Sequence, residues 1–291
     1  MHEIVIISGK GGAGKTSITG AFAQLAQGAV LCDLDVDAPD LHLLLDPKKE
    51  SEHEFWSGNE AIIDPAKCEK CGLCFDMCRF NAIEETEDSF QVAPFRCEGC
   101  KVCVEFCPAD AISFPKRHCG QWYISTTRFD TMVHAQLFPG EENSGRLVTL
   151  LKQEAKKIAE AKGFDLVLCD GAPGIGCPVI SSLAGTDLAL LVTEPTPSGI
   201  HDLKRVAELC DGFKIQVAVL INKWDVNPEL SDNIEKYCQS KGYSVICRFP
   251  HDRAVTDAMV NRKVITEYDN GALKKTLETA WADTVSLLKS K

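Results

Sequence analysis

Nine residues near the N-terminus restrict what the whole chain can fold into: Ser8-Gly9-Lys10-Gly11-Gly12-Ala13-Gly14-Lys15-Thr16. The apolar run Ile4 to Ile7 leads straight into them, and an Ala-rich stretch of helical pattern, Ser17 to Ala26, follows. Strand, glycine-rich loop and helix in that order make a phosphate cradle. The glycines let backbone N–H groups turn inward, and the helix adds its positive dipole end. Lys15 is placed to reach the β- and γ-phosphates of a nucleotide, and the Thr16 hydroxyl to hold Mg²⁺. A glycine-rich connector with an incidental lysine is the alternative, but it leaves the flanking strand and helix unexplained.

Further strands repeat the pattern. Gly28 to Cys32 reads as a strand and ends in Asp33-Leu34-Asp35-Val36-Asp37-Ala38-Pro39-Asp40, four carboxylates in eight residues. Such crowding is costly unless a cation sits there, and a Mg²⁺-nucleotide at the carboxyl edge of a sheet fits. Asp37 and Asp40 also suit plain solubilising charges. Phe164 to Cys169 is a buried strand with Asp170 at its end, a position from which a carboxylate contacts the Mg²⁺ shell. Gly171-Ala172-Pro173-Gly174-Ile175-Gly176 follows as a mobile, phosphate-sensing loop. Strands at Leu188 to Thr193 and Ile215 to Ile221 alternate with helical patterns, one from about His201 to Cys210. The fold expected is a doubly wound, mainly parallel α/β sheet.

The cysteines break this pattern. Eight of the fifteen form Cys68-x2-Cys71-x2-Cys74-x3-Cys78 and Cys97-x2-Cys100-x2-Cys103-x3-Cys107-Pro108, each member of the second set 29 residues after its counterpart. The tails repeat as well, Asn81-Ala82-Ile83 against Asp110-Ala111-Ile112. This internal duplication has the spacing of bacterial two-cluster ferredoxins. The resemblance implies one 4Fe–4S cluster on Cys68, Cys71, Cys74 and Cys107 and a second on Cys97, Cys100, Cys103 and Cys78, because the fourth ligand crosses between repeats. Two zinc sites or disulfides are the alternatives. Arg79 stands where the ferredoxin run usually has proline, which sets a cation beside one cluster or pairs with a nearby carboxylate. Residues 61–118 are thus expected to be an inserted α+β ferredoxin domain within a nucleotide-binding domain of residues 1–60 and 119–291.

Around the insert the signals are weaker. Pro47 to Asp64 shows no clear pattern, with Lys48 to Glu52 as a solvated run. Trp122 to Thr127 is β-rich, Leu137 to Gly145 reads as a loop, and Arg146 to Ala161 as a helix. Leu273, Leu277, Trp281 and Leu288 give a terminal helix suited to packing, without a claim of membrane binding.

The second lysine of the loop, Lys10, resembles the signature lysine of the MinD/ParA family, which includes the nitrogenase iron protein. The resemblance implies an ATP-dependent face-to-face dimer in which Lys10 reaches the nucleotide of the other subunit; a solvated loop lysine is the alternative. By residue match, Asp35 aligns with the aspartate that positions the attacking water. Catalytic roles fall to Lys10, Lys15 and Asp35, and Mg²⁺ to Thr16, Asp35 and Asp170. Gly9, Lys10, Gly11, Gly12, Ala13, Gly14, Lys15 and Thr16 are the phosphate-loop residues. Asn222-Lys223-Trp224-Asp225 matches a guanine-reading motif when read alone. Yet Asn222 also suits the adenine contact of MinD-type ATPases, and Phe249-Pro250-His251-Asp252 resembles the iron protein's adenine loop. ATP is therefore expected, with Asn222, Pro250 and Asp252 at the nucleotide. Cys177 sits at the spacing of an iron-protein cluster ligand, but no second cysteine lies near Asn143-Ser144-Gly145, and a buried packing thiol is expected.

A net charge of −11 disfavours nucleic acid. The first strand begins almost at Met1, so no leader is expected and a cytoplasmic location follows. The expectation is an ATPase whose dimerisation and hydrolysis are coupled to electron transfer through two 4Fe–4S clusters. It pairs with itself or a paralogue and meets redox partner proteins. The alternative is a MinD-like positioning or scaffold ATPase whose clusters are sensors or structural staples.

Overall fold

The computed structural model describes residues 1–141, 144–268 and 271–289. Its chain opens with β1 (His2–Ser8), α1 (Lys15–Leu25), β2 (Ala29–Asp33), α2 (Leu41–Leu45) and β3 (Lys48–Asn59). The cysteine-bearing stretch holds β4 (Ile62–Ile63), α3 (Leu73–Met77), β5 (Ile83–Glu85), β6 (Phe90–Val92), α4 (Val102–Glu105) and β7 (Ile112–Ser113). Then come β8 (Lys116–Thr126), β9 (Thr131–Leu137), α5 (Ser144–Lys162), β10 (Leu166–Pro173), α6 (Cys177–Leu183) and β11 (Leu188–Thr193). The last third runs α7 (Pro197–Gly212), β12 (Gln216–Asn222), α8 (Pro228–Lys241), β13 (Ser244–Phe249), α9 (Arg253–Val260), α10 (Ile265–Tyr268) and α11 (Ala272–Lys289).

Two compact units result. The first comprises Met1–His53, Trp122–Gln136 and Ser144–Lys291; the second comprises Glu54–Gln121 and Leu137–Asn143. The large sheet has the order β13-β12-β11-β1-β10-β2-β9-β8-β3, and its pairs from β13 through to β9 are parallel. Ile4 to Ile7 of β1 are wholly buried, as a strand covered on both faces of a parallel sheet requires. The side chains of Phe22, Leu31, Leu44, Met132, Leu168, Leu190 and Leu220 fill the core around them. Helix α11 buries Leu273, Leu277, Ala280, Thr284 and Leu288 and packs on α1 and β13, so it is a packing helix. Among the described residues no helix is long and apolar enough to cross a membrane.

Three strands of the large sheet, β3, β9 and β13, were hidden in the sequence. β3 occupies the stretch from Lys48 that shows no pattern, and it closes the sheet order as an edge strand. An edge strand tolerates and benefits from the charges of Lys48 to Glu54, which erase its apolar alternation. β9 takes Thr131–Leu137, so the loop expected from Leu137 begins one residue later; its positions 142 and 143 lie outside the described residues.

The second unit is small, and its buried cluster is Ala61, Ile63, Ile83, Phe90 and Ile112. Cys68, Cys74, Cys78, Cys97, Cys103 and Cys107 pack directly against that cluster. Its strands pair antiparallel, β4 with β7 and β5 with β6. The sequence duplication is also a backbone duplication. Left-handed residues recur at the 29-residue interval: Lys70 and Gly99 at φ 53° and 61°, Gly72 and Lys101 at 81° and 68°, Asn81 and Asp110 at 50° and 47°.

Candidate functional site

The phosphate loop links β1 to α1. Gly14 caps the helix at φ 97°, and a Cβ there would lie 2.4 Å from the Asn222 amide nitrogen, so only glycine suits both the turn and the close approach. Asn222 Nδ2 donates to the Ala13 carbonyl at 2.8 Å, and Lys223 Nζ donates to that of Gly12 at 3.2 Å. The loop is thereby held from the end of β12.

A cavity of about 600 Å³ opens beside it, lined by Gly11, Gly12, Gly14, Lys15 and Thr16, by Asp35, Asp37 and Asp40, and by Asn222, Phe249 and Pro250. Its far end is apolar, with Val255, Met259, Ile265, Leu273 and Leu277. A polar, charged end and an apolar end suit a phosphorylated ligand with a flat hydrophobic body. Lys15 is only 7% exposed, and its Nζ stands 3.9 Å from Asp35 Oδ2. A buried ammonium facing a cavity is matched to an anion.

Five acids serve this end. Asp170, at the sheet's carboxyl edge, accepts from Thr16 Oγ1 and from Thr19 Oγ1, each at 2.8 Å. Burial pushes its carboxyl up, and the Lys15 charge and the two threonine hydroxyls pull it back. Asp33 is pushed well above the usual carboxylate range by burial and by the Asp170 charge. Its oxygens accept from the backbone N–H groups of Asp35 at 3.1 Å and Leu41 at 3.3 Å, which folds the segment between β2 and α2 toward the cavity. Burial raises Asp35 to about 6 despite Lys15. Asp37, also raised by burial, and Asp40 stand on the cavity wall. Such mutual repulsion among acids is what a divalent cation relieves.

Some expected residues stand elsewhere. Gly9 is packed against Asp202, Ala13 is buried, and Lys10 turns away from the cavity to pair with Glu194. Asp252, expected at the nucleotide, is instead the N-cap of α9, its Oδ1 accepting from Ala254 N–H at 2.8 Å, and it does not line the cavity. Asp225, last residue of the guanine-type tetrapeptide, accepts from the His251 backbone N–H at 2.6 Å. Cys177 is exposed at the start of α6, not the buried packing thiol expected. Sequence reasoning missed Glu194 and Thr19, and read Lys223 only as part of the guanine-type tetrapeptide. Glu194 directly follows β11 at the same sheet edge as Asp33 and Asp170, and that placement was its one available signal.

In the second unit the cysteines sort into two sets. One cavity is lined by Cys68, Cys71, Cys74 and Cys107, another by Cys78, Cys97, Cys100 and Cys103. In each set three thiols come from one repeat and one from the other. Matching backbone donors reach the crossing sulfurs: Ala82 N–H to Cys78 Sγ and Ala111 N–H to Cys107 Sγ, both at 3.3 Å. Burial, then the charges of Cys97, Cys100 and Cys74, push the Cys103 thiol up to about 11. Hydrogen bonds led by the Lys70 backbone and the Ser89 hydroxyl hold Cys68 below its ordinary value. Among the described residues no three His, Cys, Asp or Glu side chains converge closely enough to hold a single metal ion.

The chain is 37% identical over 228 residues to the uncharacterized protein MJ0578 of Methanocaldococcus jannaschii, covering 77% of this chain and 79% of that one. It is 26% identical over 262 residues to MJ0579 of the same organism, covering 84% and 93%. The cell division ATPase MinD of Pyrococcus furiosus shares the fold at a TM-score of 0.56 and 18% identity over 99% of both chains. The septum site-determining protein MinD of Pyrococcus horikoshii, solved with Mg-ADP, gives 0.58 at 16% identity, covering 100% of this chain and 99% of that one. The CobQ/CobB/MinD/ParA nucleotide binding domain matches residues 4–265. With its phosphate loop, strand-end acids and mainly parallel sheet, the chain belongs to the CobQ/CobB/MinD/ParA nucleotide-binding family.

Proposed function

We propose that the chain is an ATP-hydrolysing switch that pairs on Mg-ATP and serves a positioning or scaffold role. Residues 1–60 and 119–291 form the ATPase, and the inserted residues 61–118 carry two 4Fe–4S clusters that sense redox state or staple the insert. The observation that carries this reading is the convergence of Lys15, Thr16, Asp35 and Asp170 at one end of the 600 Å³ cavity. Lys15 binds and orients the β- and γ-phosphates. Thr16 and Asp170, already joined by a hydrogen bond, would hold Mg²⁺, which would supply charge neutralisation at the phosphates. Asp35, ionised above about pH 6, orients the attacking water. Lys10 crosses to the nucleotide of the second copy or of a related chain. That one organism holds two relatives of this chain supports either pairing. The engagement of Asp225 with the loop after β13 favours adenine over guanine.

The eight thiols fit cubane clusters. Each set of four lines a cavity without closing on a single point, and the half-buried Cys103 thiol, raised to about 11, would be stabilised as a thiolate by a cationic core. When bound, each cluster supplies a one-electron site. A second reading, in which nucleotide turnover gates electron transfer to a redox partner, is favoured by one observation: α3, bearing Cys74, packs on α4, bearing Cys103. The family comparisons favour the positioning reading.

One experiment separates the two: anaerobic redox titration of the reconstituted protein by EPR, without nucleotide and with Mg-ATP or Mg-ADP, alongside ATPase rates of the oxidised and reduced forms. The positioning reading expects a change in ATPase rate or pairing on reduction, with potentials independent of nucleotide. A nucleotide-dependent shift on the order of tens of millivolts would move the assignment to gated electron transfer. Loss of ATP turnover in Lys15→Ala with partner reduction at full rate would remove that second reading.

A further inference from the structure

Glu194 binds two lysines, one to each carboxylate oxygen. Oε1 pairs with Lys10 Nζ, and Oε2 lies 3.2 Å from Lys223 Nζ. The hydroxyls of Thr196 and Ser198 stand 3.4 Å and 3.3 Å from Lys10 Nζ. Among the described residues, every polar partner of the Lys10 ammonium therefore comes from the segment Glu194–Ser198 of its own chain. Lys223 in turn holds the Gly12 carbonyl, and its neighbour Asn222 that of Ala13. The Glu194 side chain is 14% exposed. Burial alone would raise its carboxyl, but the hydrogen bonds and charges of Lys10 and Lys223 outweigh burial and keep it ionised. One carboxylate thus joins the phosphate loop, the end of β11 and the end of β12.

An ammonium held in this way cannot also contact a phosphate bound to another subunit. We propose that Glu194 is a latch that holds Lys10 within its own subunit, and that pairing on Mg-ATP exchanges this carboxylate for phosphate oxygens of the second copy's nucleotide. The proposal rests on the reading of Lys10 as a residue that acts across the pair. Lys10 remains 31% exposed, so its ion pair is of the modest, partly screened kind. Such a latch sets the threshold for pairing and does not forbid it. Glu194 is a positioning residue, acting through Lys10.

The test is the concentration at which the full chain dimerises in a Mg²⁺ complex of a non-hydrolysable ATP analogue, measured by analytical ultracentrifugation. Glu194→Gln is expected to lower the midpoint about fivefold, and Glu194→Asp by less. In a Lys10→Ala background the same glutamine substitution is expected to change nothing. An unchanged or raised midpoint in Glu194→Gln overturns the latch, as does an equal effect with and without Lys10. If Glu194→Gln does not fold, Glu194→Asp carries the same comparison, and an unchanged midpoint there overturns the latch. The underlying reading fails separately. Lys10→Ala that dimerises like the unsubstituted chain removes the trans-acting lysine and the latch with it, whereas Lys10→Ala that no longer dimerises, beside an inert Glu194→Gln, removes the latch alone.

Discussion

In the first unit, charge is balanced by the protein itself. Asp170 is held by Thr16 and Thr19, Glu194 by Lys10 and Lys223, and Asp33 by two backbone amides. These partners come from helix α1, from the start of α2 and from loops at the ends of strands around β1. In the second unit six of the eight cluster-motif thiols pack against a small cluster of five buried apolar residues, and half-buried Cys103 is raised by burial and then by the charges of neighbouring thiols. The phosphate end of the first site is held by hydrogen bonds and ion pairs within the protein itself. The second unit is of a size at which cores of this kind need a staple, so its order is expected to depend on what the cysteines bind.

The largest expected effect sharpens that independence. Lys15→Ala should lower ATP turnover on the order of 10³-fold, since positioning and phosphate charge are most of the chemistry. Iron content and the visible spectrum of the reconstituted protein should not change. Iron loss in that variant would mean that the two regions depend on each other.

Next comes the crosswise ligand set. Cys107→Ser should remove about half of the iron and leave the cluster on Cys78, Cys97, Cys100 and Cys103 intact. EPR of Cys107→Ser and Cys78→Ser should then show the two different signals that remain. Ligation of each cluster by one repeat alone predicts the opposite assignment. Chelation of all iron is expected to broaden or abolish the melting transition of the second unit, followed by proteolysis within Glu54–Gln121, while the first unit still melts cooperatively.

A third prediction concerns Asp35, whose carboxyl is raised to about 6 from 3.8. As a carboxylate that orients water, it should give an ATPase rate that falls as pH drops through about 6, roughly tenfold per unit below it. Stability runs the other way. A raised acid contributes stability that is fully present below its unfolded value and is lost as pH rises through the folded one. Asp35→Asn should therefore abolish turnover yet raise the nucleotide-free melting temperature at pH 7.5, with the gain gone near pH 4. A variant less stable at pH 7.5 would give the acid a structural role in the first unit.

The two halves of the cysteine repeat offer a finer contrast. Gly99 sits at φ 61° with the place of a Cβ 2.4 Å from the Asn59 carbonyl oxygen, whereas Gly72 at φ 81° has nothing within 4 Å. Both Ala variants are strained by about 1 kcal/mol or more. Gly99→Ala adds a backbone clash and should cost about 2 kcal/mol beyond Gly72→Ala in urea unfolding of the reconstituted protein. Equal costs would mean that the Asn59 segment yields freely.

The sequence was most legible where local rules and global fold agree. The apolar run of β1 with its glycine loop, and the 29-residue spacing of the cysteines, each leave few structural solutions. β3 was hidden because its edge position permits charge at almost every residue, and β9 because a short strand buried at all but one position has little alternation to read. Glu194 was missed for a different reason. Its partners lie 184 and 29 residues away, and only the parallel order of β11, β1 and β12 brings Lys10 and Lys223 to it. Cys177 shows the limit of residue statistics: cysteines are usually buried, but the first residue of a helix after a glycine loop is held at the surface by that geometry.

The smallest effect decides the role of Asp252, where motif resemblance and geometry part. A cap that accepts one backbone N–H contributes about 1 kcal/mol. Asp252→Ala should thus lower the melting temperature of the first unit by about 2–4 °C and leave the KM for ATP within about twofold. Pro250, two residues earlier, lines the cavity and would keep the loop at the ligand. The converse pattern, an unchanged melting temperature with a tenfold higher KM, would show that Asp252 leaves its cap to bind nucleotide. The loop after β13 would then be reorganised by its ligand, and the pre-formed character of the first unit would hold for its phosphate end but not for its base end.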